Sequence, residues 1–184
     1  TAMLLRVPLT LAIIPSLIVG LHGNTYVVPQ RDLEELVCID WHSELSLQRG
    51  VDCEVYPLRG ELLPIVRLAD VLTHSQPFTP QLKQQLLAQA GQRRVASDAF
   101  EYILVVRAQG RRFGLVVDFV GTTQEVVIKP MHPSAKPISI FGGATIMGDG
   151  KVALILSIEG ILQHARCPAV ESASRSEATL RDPN

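Results

Sequence analysis

The sequence has few cysteines and no excess of charge of either sign. Its three cysteines, Cys38, Cys53 and Cys167, lie far apart and form no Cys-x-x-Cys pair, which argues against a disulfide framework and against structural zinc. Lys and Arg number 17 against 18 Asp and Glu, so the basic surplus typical of nucleic-acid binding is missing. Because Cys38 lies in an apolar run, we predict a buried, unreactive thiol in a reducing compartment.

The sequence also has no hydrophobic run long enough to span a membrane. The apolar stretch of residues 9–21 is too short and is interrupted by Pro15, and no small-x-small cleavage site follows it. From Leu5 to Ile13 apolar and polar residues alternate instead, which predicts a strand. The chain opens within this strand at Thr1 rather than at Met, so we expect it to be part of a longer protein.

What is present is a globular composition, 47% hydrophobic and 19% charged, in short Val- and Ile-rich segments separated by Gly and Pro turns. This pattern predicts an all-β fold. Residues 73–99 differ, with six glutamines, and form an insert in which Thr79 and Pro80 begin a helix that ends at Gly91. We expect this helix to bridge two β units, a second short helix over 158–164, and a flexible tail over 168–184.

One internal repeat is visible at an offset of 90 residues. Residues 60–72 (GELLPIVRLADVL) match residues 150–162 (GKVALILSIEGIL) at six apolar positions, and residues 35–38 match residues 125–128 in the same register. Two copies of a module of about five strands are the simplest interpretation. Because five short strands make a poor open sheet, each copy should close into a small barrel, with halves at about 25–72 and 100–162.

A glycine-rich stretch runs from Gly142 to Gly150 and raises the question of a phosphate site. A P-loop needs Lys and Ser or Thr directly after its second glycine, whereas here Asp149 follows Gly148, and its carboxylate would repel phosphate. We therefore predict a hairpin turn at Gly148, Asp149 and Gly150, with Asp149 and Gly150 at positive φ.

No catalytic constellation is evident. None of the five histidines has metal-ligand spacing, and His164, the only one on a predicted helix, lacks the acidic neighbours of a phospho-accepting histidine. We predict that all five lie on the surface. No G-x-S-x-G nucleophile elbow occurs. The sequence therefore predicts no catalytic residue, no metal site and no cofactor, although an enzyme with an unrecognised site stays open as an alternative.

Four segments resemble the CheW-like domain, and in particular the C-terminal regulatory domain of the chemotaxis histidine kinase CheA. They are residues 58–68 (LRGELLPIVRL), 114–118 (GLVVD), 126–130 (VVIKP) and above all 143–156 (GATIMGDGKVALIL). The opening residues 5–14 (LRVPLTLAII) resemble the junction at which the ATP-binding domain of that kinase ends. The resemblance implies a junction strand at 1–14 and a CheW-like regulatory domain at 15–167.

The resemblance also implies the fold and the partners. It predicts two SH3-like five-stranded β-barrels around a joint core, which bind the CheW adaptor and the cytoplasmic tips of chemoreceptors. Docking would couple receptor state to the kinase core of the same chain in a two-component phosphorelay. Such a chain would be cytoplasmic, with no nucleic-acid partner and no direct membrane insertion. A stand-alone CheW-like scaffold that links receptors to a kinase is the alternative.

Candidate partner-binding residues come from the predicted strand pattern and from the family resemblance. Leu62 and Leu63 are adjacent on a predicted strand, so one of them should face outward. In the family this region of the first barrel docks the second barrel of CheW, which makes Leu62 the candidate anchor. By the same resemblance Gln30 lies on the neighbouring side of that surface, and the apolar stripe at Val37 and Ile39 is a further candidate.

Overall fold

A computed structural model describes residues 13–40, 47–50, 52–74, 77–96, 100–131 and 139–166. The predicted junction residues 1–12 and the predicted tail 168–184 lie outside the described residues. The elements in chain order are β1 (Ile13–Leu21), β2 (Asn24–Pro29), a 3-10 turn (Gln30–Asp32), β3 (Leu33–Asp40), β4 (Gln48–Arg49), β5 (Glu54–Leu58), β6 (Glu61–Arg67), α1 (Leu68–Thr73), α2 (Pro80–Ala96), β7 (Phe100–Ala108), β8 (Arg111–Val117), β9 (Phe119–Val127), β10 (Phe141–Ile146), β11 (Val152–Leu156) and α3 (Ile158–Ala165).

The strands form two sheets, which confirms the predicted two-unit β fold. One sheet has the order β10-β11-β2-β1-β9 and is called here the terminal barrel; the other has the order β3-β7-β8-β6-β5-β4 and is called the central barrel. In the terminal barrel Lys129, just after β9, exchanges two backbone hydrogen bonds of 2.8 and 3.0 Å with Ala144 of β10. This bridge joins the chain just after β9 to β10 and so closes the sheet at that point.

The two barrels have the same topology over five strands each, and the central barrel has the short β4 as a sixth, one strand more than predicted. In each, a strand that continues into a helix, β6 into α1 and β11 into α3, pairs in parallel with the second strand of a hairpin. The parallel registers coincide as well, since Ile65 lies opposite Gly114 and Ile155 lies opposite Val27. The segments 62–72 and 152–162 therefore occupy equivalent places, as the repeat predicts.

The barrels nevertheless divide the chain differently from the predicted halves 25–72 and 100–162. The hairpin β1–β2 pairs with β9 and β11, and the hairpin β7–β8 pairs with β3 and β6. Each barrel thus takes its hairpin from one repeat and its remaining strands from the other. The predicted assignment of each half of the sequence to its own barrel is therefore wrong. The repeated segments resemble each other in sequence, but the hairpin of each repeat pairs with strands of the other repeat.

The register of the second repeat segment also differs from the prediction. Ile39 pairs with Glu101 in the central barrel, and Val126 pairs with Ile14 at the equivalent place of the terminal barrel. Ile39 and Val126 are therefore equivalent, and the offset over β1–β3 is 87 residues, whereas it is 90 over β6. The predicted match of residues 35–38 with 125–128 is three residues out of register.

Three apolar clusters follow from the alternation of the strands. One cluster fills the central barrel and includes Ile65, and another fills the terminal barrel and includes Ile155. The third and largest lies between the barrels, where Leu104, Val66 and Leu156 pack with the helices α1 and α3. Because β7 buries Ile103 inside the central barrel and Leu104 outside it, the central barrel cannot separate from its neighbour without exposing this joint cluster.

The closeness of this packing gives a first prediction. A Cβ atom on Gly114 would lie 2.5 Å from Ile65 Cδ1 and 2.6 Å from Ile103 Cγ2, so Gly114→Ala should overpack the central barrel and destabilise it by about 1–3 kcal/mol. Gly148→Ala is the matched control, because nothing lies within 4 Å of its Cβ position and it has no positive φ. Urea unfolding measures both; equal stability of the two variants would contradict this packing.

The helix α2 extends from Pro80 to Ala96 and so is longer than the predicted helix to Gly91. Phe78, just before it, is buried in the joint cluster, and its N–H donates to the His164 carbonyl of α3 at 2.8 Å. Lys83 Nζ donates to the Arg166 carbonyl at 2.5 Å. Leu82 and Leu86 of α2 pack against the joint cluster, so the helix lies over the junction between the two barrels.

His164 is buried, which corrects its predicted surface position. Its ring packs edge-on against Phe78 with centroids 5.4 Å apart, and its Nε2 has no hydrogen-bond partner among the described residues. The prediction was wrong because His164 lies one turn after Gly160 and Ile161 on the inner face of α3. Burial lowers the pKa of His164, and its hydrogen bond with the His74 backbone only partly offsets this.

A pH dependence of stability follows. Because the folded state binds fewer protons at His164 than the unfolded chain does, the free energy of unfolding should fall as pH drops below about 6.5, the unfolded value. Thermal melts between pH 7.5 and 5.5 should therefore show a larger loss of Tm for the wild type than for His164→Phe, which keeps the ring contact with Phe78. Identical pH profiles would show that His164 does not titrate as its burial requires.

The turn between β10 and β11 is the hairpin expected at Gly148, Asp149 and Gly150. The Gly150 N–H donates to the Met147 carbonyl at 2.9 Å, and the Asp149 carboxylate accepts the Lys151 N–H at 3.0 Å. Of the three turn residues Gly150 alone has a positive φ, of 82°. Asp149 was also predicted there, and this is corrected: a three-residue turn with a terminal bulge needs only one left-handed residue.

Candidate docking surface

The outward face of β6 places Leu62 in solvent. Leu62 is 49% exposed, whereas Leu63 is 4% exposed and packs inside the central barrel. The tight turn at Arg59 and Gly60, with φ of 51° and 86°, joins β5 to β6 and brings Pro57 opposite Leu62. We call the pair Pro57 and Leu62 with this turn the first corner. An apolar side chain at the end of a barrel, held by a rigid hairpin, can act as an anchor for a protein partner.

The other predicted partner-binding residues do not lie together at this corner. Gln30 is exposed in the 3-10 turn that joins β2 of the terminal barrel to β3 of the central barrel. Val37 is half-buried against the interior of the central barrel, and Ile39 is 2% exposed inside it. Ile39 therefore cannot contact a partner in this fold, which corrects its assignment to the surface.

On β3 the side chains that face outward are not the predicted Val37 and Ile39 but those that alternate with them. Leu36 is 48% exposed and Cys38 is exposed as well, because side chains of a strand alternate between its two faces. The predicted burial of Cys38 is thereby corrected. The run of residues 36–39 is apolar throughout, so its sequence does not show which two side chains face inward.

Ion pairs cross the end of the central barrel beside the first corner. Glu34 bonds to Arg107 and, at 2.7 Å, to Arg112, which also bonds to Glu61 at 3.0 Å. Burial raises the pKa of Glu34, but its hydrogen bonds and charge interactions with both arginines outweigh this and lower it. A charged rim next to the exposed Leu62 resembles the polar surround of an interface anchor.

A second corner lies at the equivalent place of the terminal barrel. Ile146 of β10 pairs with Val152 of β11, and these side chains are 55% and 68% exposed. Val152 corresponds to Leu62 in the repeat, so both barrels expose an apolar residue at the start of equivalent strands. Neither the sequence repeat nor the apolar pattern alone distinguishes these exposed positions from core positions.

The described part of the chain contains neither a group of three or more potential metal ligands nor a helix long and apolar enough to span a membrane. The model of the family described as the CheW-like domain matches residues 15–166. The chain belongs to the CheW-like domain family.

Curated relatives of this CheW-like chain are considerably longer than it is. It is 30% identical over 166 residues to the sensor histidine kinase CheAY of Helicobacter pylori, covering 90% of this chain and 18% of that protein. It is 28% identical over 180 residues to the chemotaxis protein CheA of Treponema pallidum, covering 98% and 20%, and 31% identical over 159 residues to CheA of Bacillus subtilis, covering 86% and 20%. The chain thus spans about a fifth of the length of these relatives.

A solved structure has the same fold. The scaffolding protein TtCheW from Thermoanaerobacter tengcongensis matches with a TM-score of 0.60 and 16% identity, covering 85% of this chain and 99% of that one. At this identity the likeness establishes the CheW-like fold.

Proposed function

We propose that this chain is the regulatory domain of a CheA-type chemotaxis kinase. In this role it docks the adaptor CheW and the cytoplasmic tips of chemoreceptors, and it couples receptor state to the kinase core in a two-component phosphorelay. The exposed Leu62 on a rigid hairpin beside a charged rim carries the proposal, because it gives a non-catalytic domain a specific protein contact. The kinase names of the relatives support the link to CheA.

The coupling would be mechanical and non-covalent. β1, with which the described residues begin, lies between β2 and β9, and Leu17 pairs with Val28 on one side and with Thr123 on the other. A strand held on both sides transmits a change in orientation of the barrel with little internal bending. Docking at the barrels would therefore bias the orientation of the ATP-binding domain that we expect to precede Ile13.

A stand-alone CheW-like scaffold is the second candidate, and it is favoured by the match to almost the whole of TtCheW. Such a protein would link receptors to a separate kinase through the same corners. The coding sequence upstream of Thr1 discriminates between the two functions, because only the kinase subunit requires ATP-binding motifs in the same reading frame.

Two measurements on the isolated chain test the proposed function. Calorimetric titration with a CheW adaptor should show saturable binding at one site. Incubation with radiolabelled ATP should give neither hydrolysis nor phosphate on any histidine above background, because the proposed role uses docking only. Labelling of the chain, or failure to bind CheW, would contradict the proposal.

A further inference from the structure

Phe78 lies between two histidine rings at the point where the chain passes from α1 to α2. Its ring contacts that of His164 of α3 edge-on with centroids 5.4 Å apart, and that of His74, just after α1, with centroids 6.0 Å apart. The Phe78 N–H also donates to the His164 carbonyl at 2.8 Å. We call these three residues the ring clamp. The clamp fixes the start of α2 to α3.

The His164 imidazole is enclosed by the clamp and has little access to water. The residue is only 6% exposed, and its Nε2 has no hydrogen-bond partner among the described residues. In a neutral imidazole one nitrogen is a donor and the other an acceptor, whereas in the protonated ring both are donors. Protonation of His164 would therefore place a charge and an N–H without an acceptor inside the clamp, and both destabilise the closed arrangement.

The charged groups on α3 and on the helices packed against it give such a proton no net compensation. They are one acidic and one basic side chain beside the cavity beneath α2, and one of each sign on α3 itself: Asp70, Lys83, Glu159 and Arg166. The strands behind α3 contribute apolar side chains of the joint cluster and the uncharged phenol of Tyr102. The remaining group is His74, and a charge on its ring would repel one on His164.

The helix α2 is attached less firmly than the strands. It belongs to neither sheet, and Phe78 and Lys83 each donate one hydrogen bond to α3. Leu82 and Leu86 are only half-buried, and a cavity of about 50 Å³ remains beneath the helix. Segments with few buried contacts open at a smaller free energy than core strands do, so α2 can detach while both barrels stay folded.

We propose that the ring clamp is a pH-sensitive device that releases α2 from α3 when His164 is protonated. With His164 neutral the clamp is closed, and α2 lies over the junction between the barrels. In the open state the ring reaches water and binds a proton with the ordinary pKa of about 6.5, so acid shifts the equilibrium toward release. The proposal does not rest on the proposed docking function, because every contact in it lies within the chain.

Release of α2 is distinct from the loss of global stability in acid. Global unfolding exposes all three apolar clusters, so its free energy depends steeply on urea concentration. Release of α2 exposes mainly Phe78 and Leu87, which are 6% and 8% exposed in the closed state, together with the half-buried leucines of the helix. Its free energy should therefore depend only weakly on urea, and this difference separates the two events.

Hydrogen exchange followed by mass spectrometry measures this opening in the wild-type chain. Peptides covering residues 77–89 are compared with peptides from β7 and β8 at pH 7.5 and 5.5, in low urea, after correction for the intrinsic effect of pH on exchange. Residues 77–89 should open with little urea dependence. Their opening constant should rise about threefold to tenfold at the lower pH, since tenfold is the limit for one histidine. If residues 77–89 open only together with the strands, the proposal is overturned.

Three variants identify the group that senses acid. His164→Phe keeps a ring against Phe78 and should reduce the response of residues 77–89 to less than about twofold. His74→Phe leaves His164 buried and should keep most of the response. His22→Asn is the matched control, because His22 is exposed in the β1–β2 turn at a φ of 49° that asparagine tolerates, and its response should equal that of the wild type. An undiminished response in His164→Phe, or its loss in His74→Phe alone, would refute His164 as the sensor.

Discussion

Leu62→Asp should fold like the wild type and lose most of its affinity for a CheW adaptor, whereas Leu63→Asp should fail to fold. The two leucines are neighbours in sequence, but β6 turns them to opposite faces, so one side chain is half in solvent and the other lies inside the central barrel. The same change of residue type therefore tests surface and core separately.

The magnitudes follow from the two environments. An interface anchor that is removed typically weakens binding by about 2 kcal/mol or more, which is roughly thirtyfold in affinity. An unpaired carboxylate in the place of Leu63, among Ile65, Ile103 and Tyr56, costs several kcal/mol, a large part of the stability of a domain of this size. Calorimetric binding to CheW and thermal melts of each variant provide the two readouts.

The outcome can contradict the assignment in two ways. If Leu62→Asp unfolds the chain, the faces of β6 are reversed. If it folds and binds CheW at full strength, the first corner is not the docking surface. Ile13→Asp is the matched control, because Ile13 is similarly exposed, at 55%, but lies at the start of β1 in the terminal barrel, and it should leave both affinity and Tm nearly unchanged.

The repeat shows how far the sequence predicts this fold. Equivalent places for β6 and β11 follow from matching apolar positions, because each strand must bury the same alternate residues before a helix. The sequence does not predict that the hairpins are exchanged between the barrels. The hairpin β1–β2 would show the same apolar alternation whether it paired with strands of its own repeat or with those of the other repeat. Which distant strands pair depends on the joint cluster as a whole and not on any local pattern.

The faces of single strands show a similar limit. In β6 the predicted exposure of one of the two leucines agrees with the structure, and Leu62 is the exposed one. The polar Glu61 does not identify it, because by alternation Glu61 lies on the same face as the buried Leu63. In β3 four consecutive apolar residues leave two possible assignments, and the predicted stripe of Val37 and Ile39 faces inward. Leu36 and Cys38 lie outward because they alternate along β3 with Val37 and Ile39, whose side chains pack in the interior of the central barrel.

A buried ionic group was not predicted at all. Arg67 of β6 bonds to Glu54 of β5 at 2.7 Å and to Glu101 of β7 at 2.9 Å, and its side chain is only 9% exposed. Burial alone would lower the pKa of Arg67, but its hydrogen bonds and charge interactions with both glutamates raise it instead. The three residues are far apart in sequence and each resembles an ordinary surface charge, so no local signal identifies the group.

Arg67→Met should therefore be among the most destabilising single substitutions in the chain, by about 3–5 kcal/mol. The methionine fills much of the arginine volume, but it removes the guanidinium from two carboxylates, those of Glu54 and Glu101, whose side chains are only 7% and 12% exposed. The loss arises because two buried negative charges lose the positive charge between them, and not from the missing bonds alone. Urea unfolding at neutral pH measures it.

Two further variants identify the cause of this loss. Arg59→Met removes the ion pair with Glu35 at the first corner, where Arg59 is 79% exposed, and should cost less than about 1 kcal/mol. Adding Glu54→Gln and Glu101→Gln to Arg67→Met removes the buried charges and should recover a large part of the lost stability. If the triple variant is no more stable than Arg67→Met alone, the deficit comes from packing around β6, and the three charges do not act as one group.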